Sequence, residues 1–171
     1  IYDKRDRLVL TQDANQRSTQ NGAPGDKWTF TKYDYLNRPI LTGITSIIGS
    51  ASEIRIALGA ITAFYETKDT PVVHGYTNNA YPSVTDESQY LTVTFYDDYN
   101  CPDAPAYAYT DELSNGAYNP KIKGQVTGGK VKNLKDNSWL RSVAYYDDRY
   151  RVIQSQGDNH LGGTDMVSNK Y

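Results

Sequence analysis

One short pattern recurs along this chain, and any fold it adopts must give every copy the same local geometry. Tyr2-Asp3-Lys4-Arg5-Asp6-Arg7-Leu8-Val9 aligns with Tyr33-Asp34-Tyr35-Leu36-Asn37-Arg38-Pro39-Ile40 and with Tyr146-Asp147-Asp148-Arg149-Tyr150-Arg151-Val152-Ile153. The shared elements are Tyr-Asp, two variable residues, a position held by Asp or Asn in two copies, then Arg and two mostly apolar residues. A partial copy opens at Tyr96-Asp97, with Cys101 where the Arg would stand, and a degenerate one runs from Tyr65-Glu66 to Val73. The copies begin at 2, 33, 65, 96 and 146, so the first four recur about every 31 residues, and the longer last gap reads as an insertion.

The pattern has a physical reading as strand, tight turn and returning strand. Trp28-Thr29-Phe30-Thr31-Lys32, Leu91-Thr92-Val93-Thr94-Phe95 and Ser142-Val143-Ala144-Tyr145 precede three of the copies. All three are rich in β-branched and aromatic residues with partial alternation. Asp6 and Asn37 stand where the chain reverses, and both tolerate the left-handed backbone of a short turn; Tyr150 does not, which predicts a different turn in the third hairpin. Leu8-Val9-Leu10, Ile40-Leu41 and Val152-Ile153 supply the returning strands. Asp and Arg, four residues apart, are expected to pair across the turn with the guanidinium over the Tyr ring. An exposed ion pair contributes only about 0–1 kcal/mol, so its value lies in register and turn geometry.

Composition narrows the classes further. Tyrosine stands at 16 against 3 Phe and 2 Trp in a chain that is 38% hydrophobic, so much of its apolar surface comes from rings with a polar end, which suits half-buried sheet faces. With 18 Lys+Arg against 20 Asp+Glu, no field favours nucleic acid as a partner. A single cysteine, Cys101, closes no intrachain disulfide. No apolar run approaches the roughly 18 residues of a membrane helix. The first residue is Ile1, which leaves any targeting segment undetermined. Two stretches depart from the strand pattern. Ser52 to Phe64 has apolar residues at helical spacing (Ile54, Leu58, Ile61) behind a Ser52 cap and is expected to form a short helix. Tyr99 to Asn119 is punctuated by Pro102, Pro105 and Asn115-Gly116 and reads as a loop-rich insertion.

Several segments resemble sites in part. Gly124-Gln125-Val126-Thr127-Gly128-Gly129-Lys130-Val131 nearly spells a phosphate-binding loop, but Val131 stands where the magnesium-binding hydroxyl is needed. Its flanks read as strands, with Gly128-Gly129 as a two-residue hairpin turn. Asp97, Asp98, Asn100 and Asp103 offer oxygen ligands without the spacing of a calcium loop. His160, with Asp158 or Asp165, lacks the Gly-x-Ser-x-Gly elbow of a hydrolase, and His74 and Cys101 read as packing residues. Exposed tyrosines, with Trp28 or Trp139, form potential stacking platforms for sugar rings, against the simpler reading that the rings build inter-strand ladders.

The Tyr-Asp...Arg unit resembles the YD repeat of the bacterial Rhs family, whose unit is similar to Tyr-Asp-x-x-Gly-Arg-Leu, with Asp6, Asn37 and Tyr150 here in the glycine position. The run from Val143 to Gln154, followed by Asn159-His160-Leu161-Gly162-Gly163-Thr164-Asp165, resembles the surface or secreted Rhs type. The resemblance spans nearly the whole chain but is weak from 44 to 90, and it transfers no catalytic residue, metal or cofactor. It implies a mainly β fold of repeated antiparallel hairpins in an extended curved sheet, with one short helix. The chain is then a single repeat segment, 1–171, excised from a longer protein. Its motif copies lie near 2–10, 33–41, 96–101 and 146–153, with a degenerate copy near 65–73 and irregular insertions at 44–64 and 99–120. The motif residues are structural: Tyr2, Asp3, Arg7, Tyr33, Asp34, Arg38, Tyr96, Asp97, Tyr146, Asp147 and Arg151. The expected role is a non-enzymatic scaffold or shell around a C-terminal cargo or toxin, at the cell surface or secreted, with neighbouring repeats as partners and self-association through edge strands. The rival reading is a carbohydrate-binding module that offers glycans its Tyr and Trp platforms.

Overall fold

The computed structural model describes residues 1–18, 26–69, 72–101 and 107–171, the Val73 side chain excepted. Pro102, Asp103 and Pro105, and Thr70-Pro71 of the degenerate copy, lie outside the described residues. The chain is mainly β, built from antiparallel strands, and divides into two compact units, Ile1–Leu91 and Thr92–Tyr171. No helix among the described residues is long and apolar enough to cross a membrane.

In the first unit, β1 (Leu10–Thr11), β2 (Lys27–Tyr33) and β3 (Pro39–Ser46) pair in sequence order, with Leu10 opposite Phe30 and Phe30 opposite Gly43. β2 alternates strictly, so Trp28, Phe30 and Lys32 all point inward. Trp28 is therefore buried, because the strand period assigns it to the same face as Phe30, and this removes it as a sugar platform. Gly43 is required by close approach: a Cβ there would lie 2.2 Å from the Gln89 carbonyl oxygen and 2.6 Å from the Phe30 ring.

A bulge follows the reversal in each of the three complete motif copies. The N–H groups of Val9 and Leu10 both donate to the Ile1 carbonyl, at 3.0 and 3.2 Å, and the register shifts at Lys32/Tyr33 and at Tyr145/Tyr146. One extra residue on the returning strand turns two successive side chains inward. The pairs Val9-Leu10, Ile40-Leu41 and Ile153-Gln154 are accordingly all buried. The expected helix is present as the longer of two α-helices among the described residues: after α1 (Ala14–Arg17), α2 runs over Ala51–Ala60. Its cap is Ser50 rather than Ser52. The Ser50 hydroxyl accepts from the Glu53 N–H while Glu53 Oε2 accepts from the Ser50 N–H, a reciprocal pairing that starts the helix two residues earlier. Ile54 and Leu58 carry its buried face.

The second unit holds most of β4 (Tyr90–Asp97), then β5 (Ile122–Lys132), β6 (Trp139–Tyr146), β7 (Val152–Asp158) and β8 (Thr164–Ser168), each antiparallel to the next. The expectation of a hairpin turn at Gly128-Gly129 is overturned. Both glycines lie inside β5, paired with Val143 and Ser142 of β6. They are small because neighbours press on them: a Cβ on Gly128 would meet Cys101 Sγ at 2.8 Å and the Ser142 carbonyl oxygen at 3.0 Å. The segment from Tyr107 to Asn119 lies as a strap against this sheet. Tyr107 is buried with Val143, Tyr145 and Ile153, and Tyr99, Tyr109 and Tyr118 pack against them. Tyr99 stacks on Tyr145 at 4.9 Å between centroids, and Tyr118 lies 4.9 Å from both. The tyrosines here are a core.

Side-chain amides of β7, a strand already paired on both sides with β6 and β8, fasten the strap. Gln154 Nε2 donates to the Thr110 carbonyl at 2.7 Å while its Oε1 accepts from the Thr110 N–H at 3.1 Å, and Gln156 Nε2 donates to the Ala108 carbonyl at 2.9 Å. Gln154 is 1% exposed, so its loss strands both Thr110 backbone groups. Gln154→Ala is expected to lower stability by about 2–3 kcal/mol, measured by urea denaturation, and to sensitise residues 107–119 to limited proteolysis before the rest of the chain.

Candidate functional site

The three complete motif copies fold into one turn. In each, the Asp N–H donates to the Arg carbonyl at 3.0 Å: Asp3 to Arg7, Asp34 to Arg38, Asp147 to Arg151. Also in each, the residue before the Arg donates its N–H back to the Asp carbonyl. That residue is left-handed in all three, Asp6 at φ 56°, Asn37 at 64° and Tyr150 at 61°. Tyr150 thus adopts the turn of the other two copies, correcting the expectation of a different one. Left-handed backbone costs an ordinary residue roughly 1–2 kcal/mol, a strain imposed by the surrounding bonds.

The carboxylate organises those bonds. Asp34 Oδ1 accepts from the N–H groups of Leu36 and Arg38, both at 2.9 Å, and Oδ2 accepts from Arg38 Nε at 2.7 Å and pairs with Nη2 at 2.7 Å. Asp3 and Asp147 make the same four contacts with Arg5, Arg7, Arg149 and Arg151. Partial burial pulls the Asp3 carboxyl up, but the side-chain and backbone hydrogen bonds of Arg7 overcome it and hold the group below the usual range. Asp147 is likewise held low, desolvation again being outweighed by its Arg151 and Arg149 bonds.

A further turn of this kind escapes the Tyr-Asp...Arg pattern. Asn159 donates its N–H to the Gly163 carbonyl, Gly162 donates back to Asn159, and Asn159 Oδ1 accepts from the N–H groups of Leu161 and Gly163. Gly162 is left-handed at φ 87°. Asn159 takes the place of Asp and Gly163 that of Arg, while Asn159 Nδ2 donates to Asp165. The available signal was an amide residue three positions before a glycine pair.

Arg7 and Arg151 also reach forward. The ring beneath Arg7, expected to be that of its own copy, is Tyr33 of the next, 4.6 Å away. The Tyr33 hydroxyl donates to the Leu8 carbonyl, and the Thr31 N–H donates to the Val9 carbonyl. Arg151 repeats this at the end of the chain: Tyr171 lies 4.5 Å beneath it, the Tyr171 hydroxyl donates to the Val152 carbonyl, and the Asn169 N–H donates to the Ile153 carbonyl. Every contact falls at the same offset from Arg and Tyr, so Tyr171 occupies the structural position of a motif Tyr.

Other positions named from sequence behave differently. Asp97, left-handed at φ 75°, accepts from the Gly124 N–H at 2.7 Å and belongs to the β4–β5 ladder, where Tyr96 pairs with Val126. Asp98 accepts from the Asn100 N–H. Asp103 lies outside the described residues, and among these no three His, Cys, Asp or Glu side chains converge as a metal site. His74 is buried with its ring 5.1 Å from that of Tyr90. His160 is exposed in the Asn159 turn, while Asp158 accepts from the Tyr107 hydroxyl and the Arg141 N–H. A polar depression of about 230 Å³ opens between the β5–β6 and β7–β8 turns, lined among others by Asp136, Trp139, Asp158 and His160.

Sequence reasoning missed the most enclosed polar group of the first unit. Lys32 and Glu66 form an ion pair at 2.8 Å with neither side chain exposed. Glu66 holds the Asp position of the degenerate copy but sends its N–H to the Tyr33 carbonyl, and its carboxylate accepts from the Ala80 N–H at 2.9 Å, the Asn79 N–H at 2.7 Å and the Thr77 hydroxyl at 2.8 Å. Lys32 Nζ also donates to Asn78 Oδ1 and to the Ala80 carbonyl. The signal was the alternation Trp28-x-Phe30-x-Lys32, which puts a cation on the buried face of a strand. No family model, curated protein or solved structure matches this chain.

Two outcomes follow from these geometries. Asp34→Ala removes four acceptor contacts and leaves Arg38 without its carboxylate, so it is expected to cost about 2–4 kcal/mol, against about 1 kcal/mol for Asp34→Asn, by denaturant midpoint. Burial pushes Tyr99 up to about 12, and burial together with the Glu66 and Glu87 carboxylates does the same to Tyr90. Their folded-state values lie above the ordinary tyrosine value near 10, so the stability they confer is complete below that pH and drains as pH rises toward 12. Ultraviolet titration is expected to resolve a late tyrosinate phase that coincides with loss of the fold.

Proposed function

We propose that this chain is a non-enzymatic structural segment of a YD-repeat protein of Rhs type, a scaffold or shell that encases a C-terminal cargo and is carried at the cell surface or secreted. The observation that carries this reading is the forward staple, Arg7 to Tyr33 and Arg151 to Tyr171, repeated at matching offsets. Such a contact couples one hairpin to the next and suits a quasi-one-dimensional array, whose stability is a sum of unit and nearest-neighbour terms. Neighbouring repeats are the primary partners in this reading. Self-association through edge strands fits the exposed Met166 and Val167 of β8. A carbohydrate-binding role is the second reading, favoured by Trp139 in the depression of about 230 Å³; binding on a glycan array that is lost in Trp139→Ala would select it.

The repeat reading is tested by joining residue 170 directly to Tyr2 of a second copy, which puts Tyr2 in the place of Tyr171. The fusion is expected to unfold at a higher denaturant midpoint than the single chain, and Arg151→Ala at the junction is expected to abolish the gain. A fusion whose halves unfold at the single-chain midpoint would remove this reading.

A further inference from the structure

Lys32 Nζ sits among three oxygens and no solvent: Glu66 Oε1 at 2.8 Å, Asn78 Oδ1 at 2.5 Å and the Ala80 carbonyl at 3.0 Å. An amine and a carboxylate that solvent does not reach therefore meet the carboxamide of Asn78, a residue exposed at the surface. The carboxamide is held fast, because Asn78 Nδ2 donates to the Val84 carbonyl at 2.7 Å and Oδ1 accepts from the Val84 N–H at 3.2 Å. Its carbon lies one C=O bond, about 1.2 Å, beyond the oxygen that Lys32 touches, hence within roughly 3.7 Å of the amine. That bound is close to the 3–3.5 Å separation of a near-attack arrangement.

We propose that Lys32 and Asn78 become joined by an intramolecular isopeptide bond, formed by the protein itself with Glu66 as the catalytic proton carrier. The ammonium of Lys32 first passes a proton to the Glu66 carboxylate at 2.8 Å. Burial favours this by pushing the Lys32 ammonium down from its usual value, against the opposing pull of Glu66. The free amine attacks Asn78 Cγ, and the C=O electron pair moves onto Oδ1, where the Val84 N–H is placed to stabilise the developing oxyanion. Collapse restores the C=O bond and breaks the Cγ–Nδ2 bond. Nδ2 departs with a proton relayed from the attacking nitrogen through Glu66, as ammonia, and the proton first taken by Glu66 leaves with it as ammonium. Nζ–Cγ replaces Cγ–Nδ2, Nζ keeps one hydrogen, Glu66 ends as a carboxylate, and no oxidant or further reactant is required. The product ties core strand β2 to the segment around Asn78. In a chain with one cysteine, this is a covalent lock that needs no disulfide.

Intact-mass and tandem mass spectrometry of the purified chain test the proposal. The folded protein is expected to be lighter than its 19.2 kDa sequence mass by one ammonia, and to yield a branched peptide linking Lys32 to Asn78. Lys32→Met and Asn78→Ala are expected to restore the mass calculated for each variant. Glu66→Gln, checked for native circular dichroism, is expected to abolish or strongly slow the cross-link; cross-linking at the wild-type rate would overturn the role given to Glu66. If the variants fail to fold, the wild-type digest decides alone. Full sequence mass after prolonged incubation at neutral pH, or ammonia loss with the Lys32 and Asn78 peptides unlinked, as in succinimide formation, would overturn the proposal.

Discussion

A single carboxylate accepting two backbone N–H bonds and one guanidinium is the interaction on which the rest of this structure depends. At Asp3, Asp34 and Asp147 one oxygen fastens the backbone of the turn while the other fastens the Arg side chain. This ion pair is largely withdrawn from solvent at Asp3–Arg7 and Asp34–Arg38 and more open at Asp147–Arg151, not the exposed pair expected from sequence. Its effect is geometric, since it holds the preceding residue left-handed even when that residue is Tyr150 and so fixes where the returning strand begins. The bulge that follows converts the position of the turn into the composition of the core. Two adjacent residues turn inward at Val9-Leu10, Ile40-Leu41 and Ile153-Gln154, which a regular strand would not permit.

Each unit is also organised by buried polar groups that are bonded rather than paired with water. Gln154 and Gln156 dock the Tyr107–Asn119 strap through its backbone, and Glu66 gathers Lys32, Thr77, Asn79 and Ala80. Low local polarity strengthens such bonds and makes each unpaired member costly. These networks therefore select one arrangement of otherwise irregular segments. The Lys32–Glu66–Asn78 group combines this organising role with reactive chemistry, because the enclosure of Lys32 and Glu66 also holds a nucleophile against the Asn78 amide.

Much of the hairpin architecture was legible in the residues. The Tyr-Asp...Arg spacing located three turns and their Asp–Arg pairs, the aromatic and β-branched runs located the strands, and the spacing of Ile54 and Leu58 located the helix. The misses have particular causes. Tyr150 was expected to break the turn because its intrinsic preference was weighed without the hydrogen bonds that override it. Gly128 and Gly129 were read as a turn, whereas the demand for small residues came from Cys101 and Ser142, distant in sequence. The Asn159 turn was hidden because an amide can replace the carboxylate wherever no Arg has to be held.

The residue pattern by itself determined the turns, since a carboxylate four positions before an arginine closes its own ring of local hydrogen bonds whether the residue between is Asp6, Asn37 or Tyr150. It likewise determined the sheet class, because alternation and β-branching act through the strand period alone. Tertiary structure decided which ring each arginine covers, where the tyrosine-rich strap docks, and what surrounds Lys32. Those outcomes depend on partners about 20 to 48 positions away in the chain, and their proximity is set by folding rather than by local preference.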